Sequence, residues 1–355
     1  MEERLKKLTE SLPEGMDGAL LLAPVHRRYY LGIVSSAGTL LVTREKSYFI
    51  VDFRYIEMAK QRIQGAEVLL QEELAKQLEE LAARHDLHCI GVDIGYVTCT
   101  VFREYQEMLG GRLAADDRLE HIIAGQRGTK SREEQERMRK AGQIAERMFN
   151  RIVPYIRPGI RSDEVQRRLG ILASEEGSQR GSFGFTVSAG DNWMESEELP
   201  DHFPLGKVID EGDVVTLRIA TQYQGYWADM SRSLCMEKAT GERRQSCERA
   251  EEAQRVLMDA LEPGKRFDTA IARVEGWLAD EGIQAIPDYG WGVGLEIREG
   301  VRLERGCLEV IREGMVLNVG LRMREPGGSS VAVRDMTIIT DQGARFLVRG
   351  SVRTG

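Results

Sequence analysis

Short apolar runs alternate with segments of helical spacing along the first part of the chain. A short apolar run predicts a buried strand, and apolar positions that recur with the helical period predict a helix. The polar stretch Thr43–Lys46 lies between two such runs and predicts a turn between paired strands. These signals indicate an α/β domain with its own core over residues 1–125. The predicted strands are Gly18–Leu22, Gly38–Val42, Ser47–Val51 and Cys89–Val92, and the predicted helices are Tyr55–Ile63 and Glu72–His85.

A charged helix is predicted next, over Ser131–Arg151. It begins with a serine that is followed by acidic residues, which is the pattern of a helix N-terminus. This helix marks the border between the N-terminal domain and a second domain, which we place at residues 126–355.

The second domain carries the same order of signals twice. In each half a Pro-Gly pair precedes a predicted helix that ends at a glycine, and a Glu-Gly turn then introduces an apolar strand. The repeated order predicts two pseudo-symmetric α/β halves around one core, with the crevice between the halves as the natural place for a site. The paired signals are Pro158–Gly159 and Pro263–Gly264, Gly177 and Gly282, and Glu211–Gly212 and Glu313–Gly314.

Composition and charge exclude several function classes. The 355 residues include 57 acids against 49 bases, for a net charge of −8, so the chain has no electrostatic reason to bind nucleic acid or an anionic membrane. The N-terminus lacks the apolar core of a signal peptide, and no stretch approaches the roughly 20 apolar residues that cross a bilayer. The five cysteines show no CxxC pairing, which predicts reduced thiols. We therefore expect a cytoplasmic protein.

Several segments carry a resemblance over nearly the whole chain. They are Val25–Lys60 with its Asp52–Tyr55 motif, Lys130–Glu134, Gly212–Ser233, Gly290–Glu299, Arg312–Gly320 and Val331–Thr340. In this order and spacing they resemble the aminopeptidase P, prolidase and creatinase family. The resemblance implies an α/β fold in which a creatinase/prolidase-like N-terminal domain precedes a pita-bread domain with an internal pseudo-twofold duplication. It also implies a homodimer, with Arg54 and Tyr55 near the subunit contact or the mouth of the neighbour's site.

Metallopeptidases of the resembled family bind two divalent metals through two Asp, one His and two Glu. Several carboxylates are needed to offset the charge of the metals and to bridge them so that a water is activated. Only one of the five matched positions keeps its ligand type, and no histidine follows His202. The resemblance therefore implies that this chain binds no metal and no other cofactor, and that metal-dependent peptidase activity is lost. The matched positions hold Arg218, Asp229, Trp291, Gly320 and Arg334.

Arg298 adds a third cation to this set. The segment Leu295–Glu299 resembles the metal-free creatine-hydrolysing members, in which the corresponding arginine helps to hold the substrate's carboxylate. A guanidinium presents a planar fork of donors that suits a carboxylate or a phosphate. Arg218, Arg298 and Arg334, set against Asp229 alone, predict a small anionic or peptide-like ligand.

An alternative interpretation is that the arginines fill the old site. Buried guanidiniums need counter-charges, so Arg218 and Arg334 would pair with Asp229 and Asp335 and close the crevice. Trp291 would then fill the volume left by the metals, whereas in an open site it would form an apolar wall for the ligand.

Two further alternatives remain. A metal-independent hydrolase of a C–N bond would need a base, and His202 lies in a loop one residue after the place of the creatinase-like histidine, where this chain has Asp201. Creatine is not expected as the substrate, because Ser231 and Gly320 stand where acids grip its guanidinium in the creatine-hydrolysing members. The third class is a non-catalytic protein-interaction module.

Overall fold

The structure is a computed structural model that describes residues 2–179, 185–190, 206–283, 285–286, 288–324 and 330–349. It divides into two units, Met1–Arg127 and Gly128–Gly355. None of the helices within the described ranges is both long and apolar enough to cross a bilayer. No disulfide bond joins any of the five cysteines within these ranges.

The first unit is a six-stranded sheet with helices, and its strand order is β4-β3-β2-β1-β5-β6. The strands are β1 (Gly18–Leu21), β2 (Thr39–Thr43), β3 (Ser47–Val51), β4 (Glu67–Leu70), β5 (Ile90–Val92) and β6 (Leu113–Ala114). The helices are α1 (Glu2–Ser11), α2 (Pro24–Leu31), α3 (Ile56–Arg62), α4 (Leu74–Arg84), α5 (Cys99–Met108) and α6 (Arg118–Gly128), with a 3₁₀ turn at Ile94–Tyr96.

The structure confirms the predicted strand pair of the first unit. β2 and β3 are antiparallel, with Leu40 opposite Phe49. The predicted turn begins one residue too early, because Thr43 is the last residue of β2. Its amide donates to the carbonyl of Lys46 at 3.0 Å, so the turn closes behind the strand. Leucine, isoleucine and valine side chains of the strands pack with those of α4 into one buried cluster.

The second unit is built on an eight-stranded sheet with the order β10-β12-β13-β9-β8-β7, to which β11 adds on β12 and β14 on β13. Its strands are β7 (Phe185–Ala189), β8 (Val214–Tyr223), β9 (Tyr226–Cys235), β10 (Ala285–Ile286), β11 (Gly290–Gly292), β12 (Val316–Arg324), β13 (Ser330–Thr340) and β14 (Gly343–Val348). Its helices are α7 (Arg132–Ile152), α8 (Ser162–Glu175), α9 (Gly241–Ala260) and α10 (Phe267–Asp280), with a 3₁₀ turn at Val153–Tyr155.

Helix α7 begins where the sequence predicts. The Ser131 hydroxyl accepts from the Glu134 amide at 3.3 Å, and the Glu134 carboxylate accepts from the Ser131 amide at 2.8 Å. This reciprocal capping box satisfies two amides that have no partner inside the helix, which explains why the helix begins here. Ser131 is thus the cap rather than the first helical residue, and the helix ends at Ile152.

The internal duplication is present in the structure. The hairpin β8–β9 belongs to the first half and the hairpin β12–β13 to the second, and they meet where β9 pairs with β13. Helices α8 and α10 each follow a glycine in the left-handed region, with φ of +86° at Gly159 and +85° at Gly264. The amides of these glycines donate to the carbonyls of Ile209 and Ile311, each at 2.9 Å. Two halves that share such local geometry confirm the predicted pseudo-twofold architecture.

One face of the large sheet carries the core of the second unit. Leu217, Ile219, Val319, Leu321 and Val333 point to this face and are buried among apolar residues of helices α7 to α10. Because successive residues of a strand point to opposite faces, the residues between them lie on the other face. The candidate site is on that second face.

Candidate functional site

The positions matched to the family's metal ligands lie on neighbouring central strands. Arg218 on β8 is opposite Ser231 on β9, Ser231 is opposite Arg334 on β13, and Arg334 is opposite Gly320 on β12. Directly opposed residues of an antiparallel pair share a face. These four residues therefore form a row across the point where the two halves meet, on the face opposite to the helices.

Arg218 and Asp229 form an ion pair in the first half. The Nη2 atom of Arg218 lies 2.7 Å from Oδ2 of Asp229, and its Nε lies 3.1 Å from both carboxylate oxygens. Asp229 is fully buried and the Arg218 side chain is only 11% exposed. Burial by itself would lower the pKa of Arg218, but the charge and hydrogen bonds of Asp229 outweigh it and raise the pKa. This contact is the one that the filled-site interpretation predicts for Arg218.

Arg334 has a different partner from the predicted one. Its Nη2 lies 2.8 Å from a carboxylate oxygen of Asp288 and donates to the Asp288 carbonyl at 2.8 Å. Asp335 instead contacts Arg232, and its Oδ2 accepts from Gln254 on α9 at 3.0 Å. The predicted pairing of Arg334 with Asp335 is wrong, because adjacent residues of β13 point to opposite faces of the sheet. Burial lowers the pKa of Arg334 in spite of the negative charge of Asp288.

Trp291 is the centre of the cationic cluster. Its ring centroid lies 4.2 Å from the guanidinium carbon of Arg298, 4.5 Å from that of Arg334 and 5.6 Å from that of Arg218. The indole is buried, and its Nε1 donates to the carbonyl of Ile297 at 2.9 Å. The negative π face of an indole attracts cations within about 6 Å. The structure thus brings Arg218, Arg298 and Arg334 to one ring, as their common assignment to one site predicts.

Arg298 lies on a well-anchored segment and is exposed to solvent. The next residue, Glu299, forms a buried ion pair of 3.1 Å with Lys130, and its amide donates to Gly292 at 2.8 Å. Across the part of the chain that the structure describes, Arg298 has no carboxylate within ion-pair distance, although Asp229 and Asp288 attract it from farther away. Partial burial and the positive charge of Arg218 lower the pKa of Arg298.

Sequence reasoning missed three residues of this face. Asp288 holds Arg334, and Asn318 lies opposite Trp291. Burial and the charge of Arg334 lower the pKa of Arg322 to about 9. The signal was present for two of them, since Asn318 and Arg322 are polar residues at even spacing in an otherwise apolar strand, which is the mark of a polar sheet face.

Not every predicted site residue falls within the described ranges. His202 and its neighbour Asp201 lie outside them, so the role of His202 as a base remains a prediction. The other histidines belong to the first unit; His26, for example, is buried with its Nδ1 3.0 Å from Asp93.

The side chains of this face are unusual for a metal centre. Across the described ranges, no three or more His, Cys, Asp or Glu side chains gather into a group that could hold a metal ion. At Gly320 a Cβ atom would lie 1.8 Å from the carbonyl oxygen of Val333 and 2.7 Å from the Cα of Arg334. This backbone therefore leaves no space for a side chain at that position.

Comparison with known proteins agrees with the fold and the motifs. Residues 136–341 match the metallopeptidase family M24, and residues 4–128 match the creatinase/prolidase N-terminal domain. The chain is 27% identical to the uncharacterized peptidase YqhT of Bacillus subtilis over 357 residues, which cover 97% of this chain and 96% of the relative. It is 26% identical to the Xaa-Pro dipeptidase of Pyrococcus furiosus over 356 residues, with 98% of each chain covered.

Solved structures show the same architecture. An Xaa-Pro dipeptidase from Bacillus anthracis superposes with a TM-score of 0.88 at 25% identity, covering 98% of both chains. The N-terminal domain of the FACT complex subunit SPT16 from chickpea has a TM-score of 0.75 at 14% identity, covering 99% of this chain and 96% of that one, and thus shares the fold alone. The chain belongs to the metallopeptidase family M24, and its pita-bread domain follows a creatinase/prolidase N-terminal domain.

Proposed function

We propose that this protein binds a small anionic, peptide-like ligand on the polar face of the large sheet without a pair of metal ions, and that it is not a metal-dependent peptidase. One observation carries the proposal. Arg298 is an exposed residue whose guanidinium carbon lies 4.2 Å from the Trp291 ring, with no carboxylate within ion-pair distance in the described ranges. Arg218 and Arg334 beside it are already held by Asp229 and Asp288.

The side chains at the five positions matched to the family's metal ligands do not fit two divalent cations. Two of the positions hold guanidiniums, which repel a metal, and a third holds an indole, whose N–H cannot coordinate one. Asp229 is the remaining carboxylate, and Arg218 occupies both of its oxygens. Gly320 has no space for a replacement side chain. A dinuclear centre needs several free carboxylates, and this set offers none.

The same residues suit a carboxylate ligand. A guanidinium stacked on an indole is held in one plane, so less conformational freedom is lost when it binds an anion. Arg218 and Arg334 offset the charges of Asp229 and Asp288, so the cluster keeps the positive charge of Arg298 for the ligand. Relatives of this chain bear the name Xaa-Pro dipeptidase, and a dipeptide ends in a carboxylate. A peptide-like carboxylate is therefore the ligand class that we propose.

The test is a thermal-shift screen of small carboxylates, inorganic phosphate and dipeptides with the intact protein. A ligand present at about 100 times its Kd stabilises the folded state by roughly 2.7 kcal/mol. We expect Arg298→Ala to weaken binding about tenfold or more, because a charge-assisted contact contributes about 1.5–3 kcal/mol. Arg312→Ala, which removes an exposed arginine elsewhere in the same unit, should leave the response unchanged. A screen in which no anion raises the melting temperature contradicts the proposal.

We also propose that the protein is a homodimer whose contact involves the region of Arg54 and Tyr55 in the first unit. Arg54 pairs with Asp52 at 2.6 Å, and the side chains of Phe53 and Val34 are 80% and 64% exposed. Large exposed apolar side chains gain free energy when a partner covers them. Light scattering at micromolar concentration should give twice the 40.0 kDa of one chain, and Phe53→Asp should shift the mass toward the monomer. A wild-type mass near 40.0 kDa overturns this proposal.

The hydrolase and interaction-module alternatives stay predictions. His202 lies outside the described ranges, so no contact of its side chain bears on a hydrolytic base.

A further inference from the structure

Two buried side chains of the polar face have hydrogen-bonding atoms without partners. Asn318 is 0% exposed, and neither its Nδ2 nor its Oδ1 has a hydrogen-bond partner among the described residues. The Nη1 atom of Arg334 is likewise unpartnered there, although the residue is only 1% exposed. A buried polar group that makes no hydrogen bond destabilises the folded state. Such groups are rare in folded proteins, because most buried polar atoms have a partner in the protein or in a bound molecule such as water.

The unpartnered atoms belong to one neighbourhood. Asn318 lies opposite Trp291 on β11, and the Arg334 guanidinium lies 4.5 Å from the same indole ring. Gly320 stands next to Asn318 on this face of β12 and directly opposite Arg334, and it contributes no side chain. The side chain of Asp288, which pairs with Arg334, is 40% exposed. Asn318 and Arg334 therefore lie close to solvent at this carboxylate.

The chemistry of these atoms selects a ligand. The Arg334 Nη1 and the Asn318 amide nitrogen are donors and suit an anionic oxygen, whereas the Asn318 amide oxygen is an acceptor and needs a donor such as an N–H. A simple carboxylate, which has no donor of its own, would leave that acceptor unpaired. A carboxylate with an amide N–H on the adjacent carbon, as in the last residue of a peptide or in an N-acylated amino acid, provides both groups.

We propose that Asn318 and Arg334 form an inner subsite that selects carboxylates with a neighbouring amide N–H. This inference rests on the proposed function and refines it, since Arg298 remains the outer contact for the carboxylate. It leads to a preference that the names of the relatives do not suggest. The amide nitrogen of an Xaa-Pro bond carries no hydrogen, so a proline derivative would leave the Asn318 oxygen unpaired. This chain should therefore disfavour proline at that place.

The experiment compares N-acetyl-L-alanine, which has the N–H, with N-acetyl-L-proline, which lacks it. Calorimetric titration of the intact wild-type protein should give a Kd about tenfold lower for the alanine derivative, the effect of one buried hydrogen bond. In Asn318→Leu the two Kd values should become equal. The melting temperature without ligand should not fall, because an apolar side chain of similar shape removes an unpaired amide. If Asn318→Leu does not fold, Asn318→Ala makes the same comparison of the two Kd values.

Two results would overturn the inference. One is equal Kd values for both compounds in the wild type. The other is a difference between the two Kd values that survives in the Asn318 variant, which would mean that the Asn318 amide does not contact the ligand. If the two Kd values are equal in the wild type and both rise in Arg298→Ala, the inference fails but the proposed function stands. Binding of neither compound, nor of any other anion, would end both.

Discussion

Replacement of Arg218 by alanine is expected to lower the free energy of unfolding by about 3–5 kcal/mol. The reason is the ion pair that the guanidinium forms with the fully buried Asp229. Without Arg218 this buried carboxylate would lose its ion-pair partner, and no other cation forms an ion pair with it in the described ranges. Urea unfolding followed by circular dichroism measures the change. A loss below about 1 kcal/mol, the range of an exposed ion pair, would contradict the buried geometry.

Two further variants separate this cause from general disruption. The double replacement Arg218→Met with Asp229→Leu removes both charges and should recover most of the lost stability, since a buried ion pair and an apolar pair of similar volume differ little. Arg298→Ala removes a cation that is exposed and lacks a close carboxylate, so its free energy of unfolding should change by no more than about 0.5 kcal/mol.

Replacement of Gly320 by alanine should destabilise the protein about as much as Arg218→Ala does. We expect it to lower the free energy of unfolding by about 3 kcal/mol or more. The new Cβ would lie 1.8 Å from the carbonyl oxygen of Val333, and a backbone atom cannot move away as a flexible side chain can. The pairing of β12 with β13 would have to shift at the centre of the sheet. Gly320→Glu, which would replace the carboxylate at the matched metal position, should fold still less well and bind no metal.

The matched control is Gly276→Ala. Gly276 lies inside helix α10, is exposed, and an added Cβ would meet nothing within 4 Å. Alanine in a helix interior is more stable than glycine by about 0.5–1 kcal/mol, so this variant should gain stability. Equal effects of the two alanine replacements in thermal unfolding would contradict the close approach described at Gly320.

The fold could be predicted from the sequence because its signals are local or repeated. Ser131 and Glu134 form the capping box that starts α7, and this pattern is readable from residue types alone. The duplication is visible because Gly159 and Gly264 serve the same turn in both halves, and only glycine adopts a positive φ without cost. Such features do not depend on knowing which strands pair.

The candidate site could be predicted only in part, because its contacts depend on which strands pair and on which face of the sheet each side chain lies. The assignment of Arg218 and Asp229 to one site followed from the resemblance to the family, and their ion pair joins two strands of one hairpin. The partner of Arg334 could not be inferred, because Asp288 reaches it from another part of the chain while the adjacent Asp335 faces the helices. Sequence neighbours on a strand are poor candidates for contact.

The fold of this chain matches that of its relatives, whereas the side chains on the polar face of the large sheet are mainly cationic around Trp291. Residues throughout the chain match those of the Xaa-Pro dipeptidase of Pyrococcus furiosus, and the architecture matches that of the Bacillus anthracis enzyme. At the meeting point of the halves, however, three guanidiniums gather around Trp291. A fold accommodates such a change because its core lies on the opposite face of the sheet, where these side chains make no contribution.

The most direct test of the account is a calorimetric titration of alanylalanine into protein dialysed against EDTA, with analysis of the recovered peptide. We expect saturable binding to the metal-stripped protein, the same Kd when excess Mn²⁺ is added, and recovery of the dipeptide intact in both cases. Binding that appears only after Mn²⁺ is added, or hydrolysis that Mn²⁺ starts and EDTA stops, would contradict it.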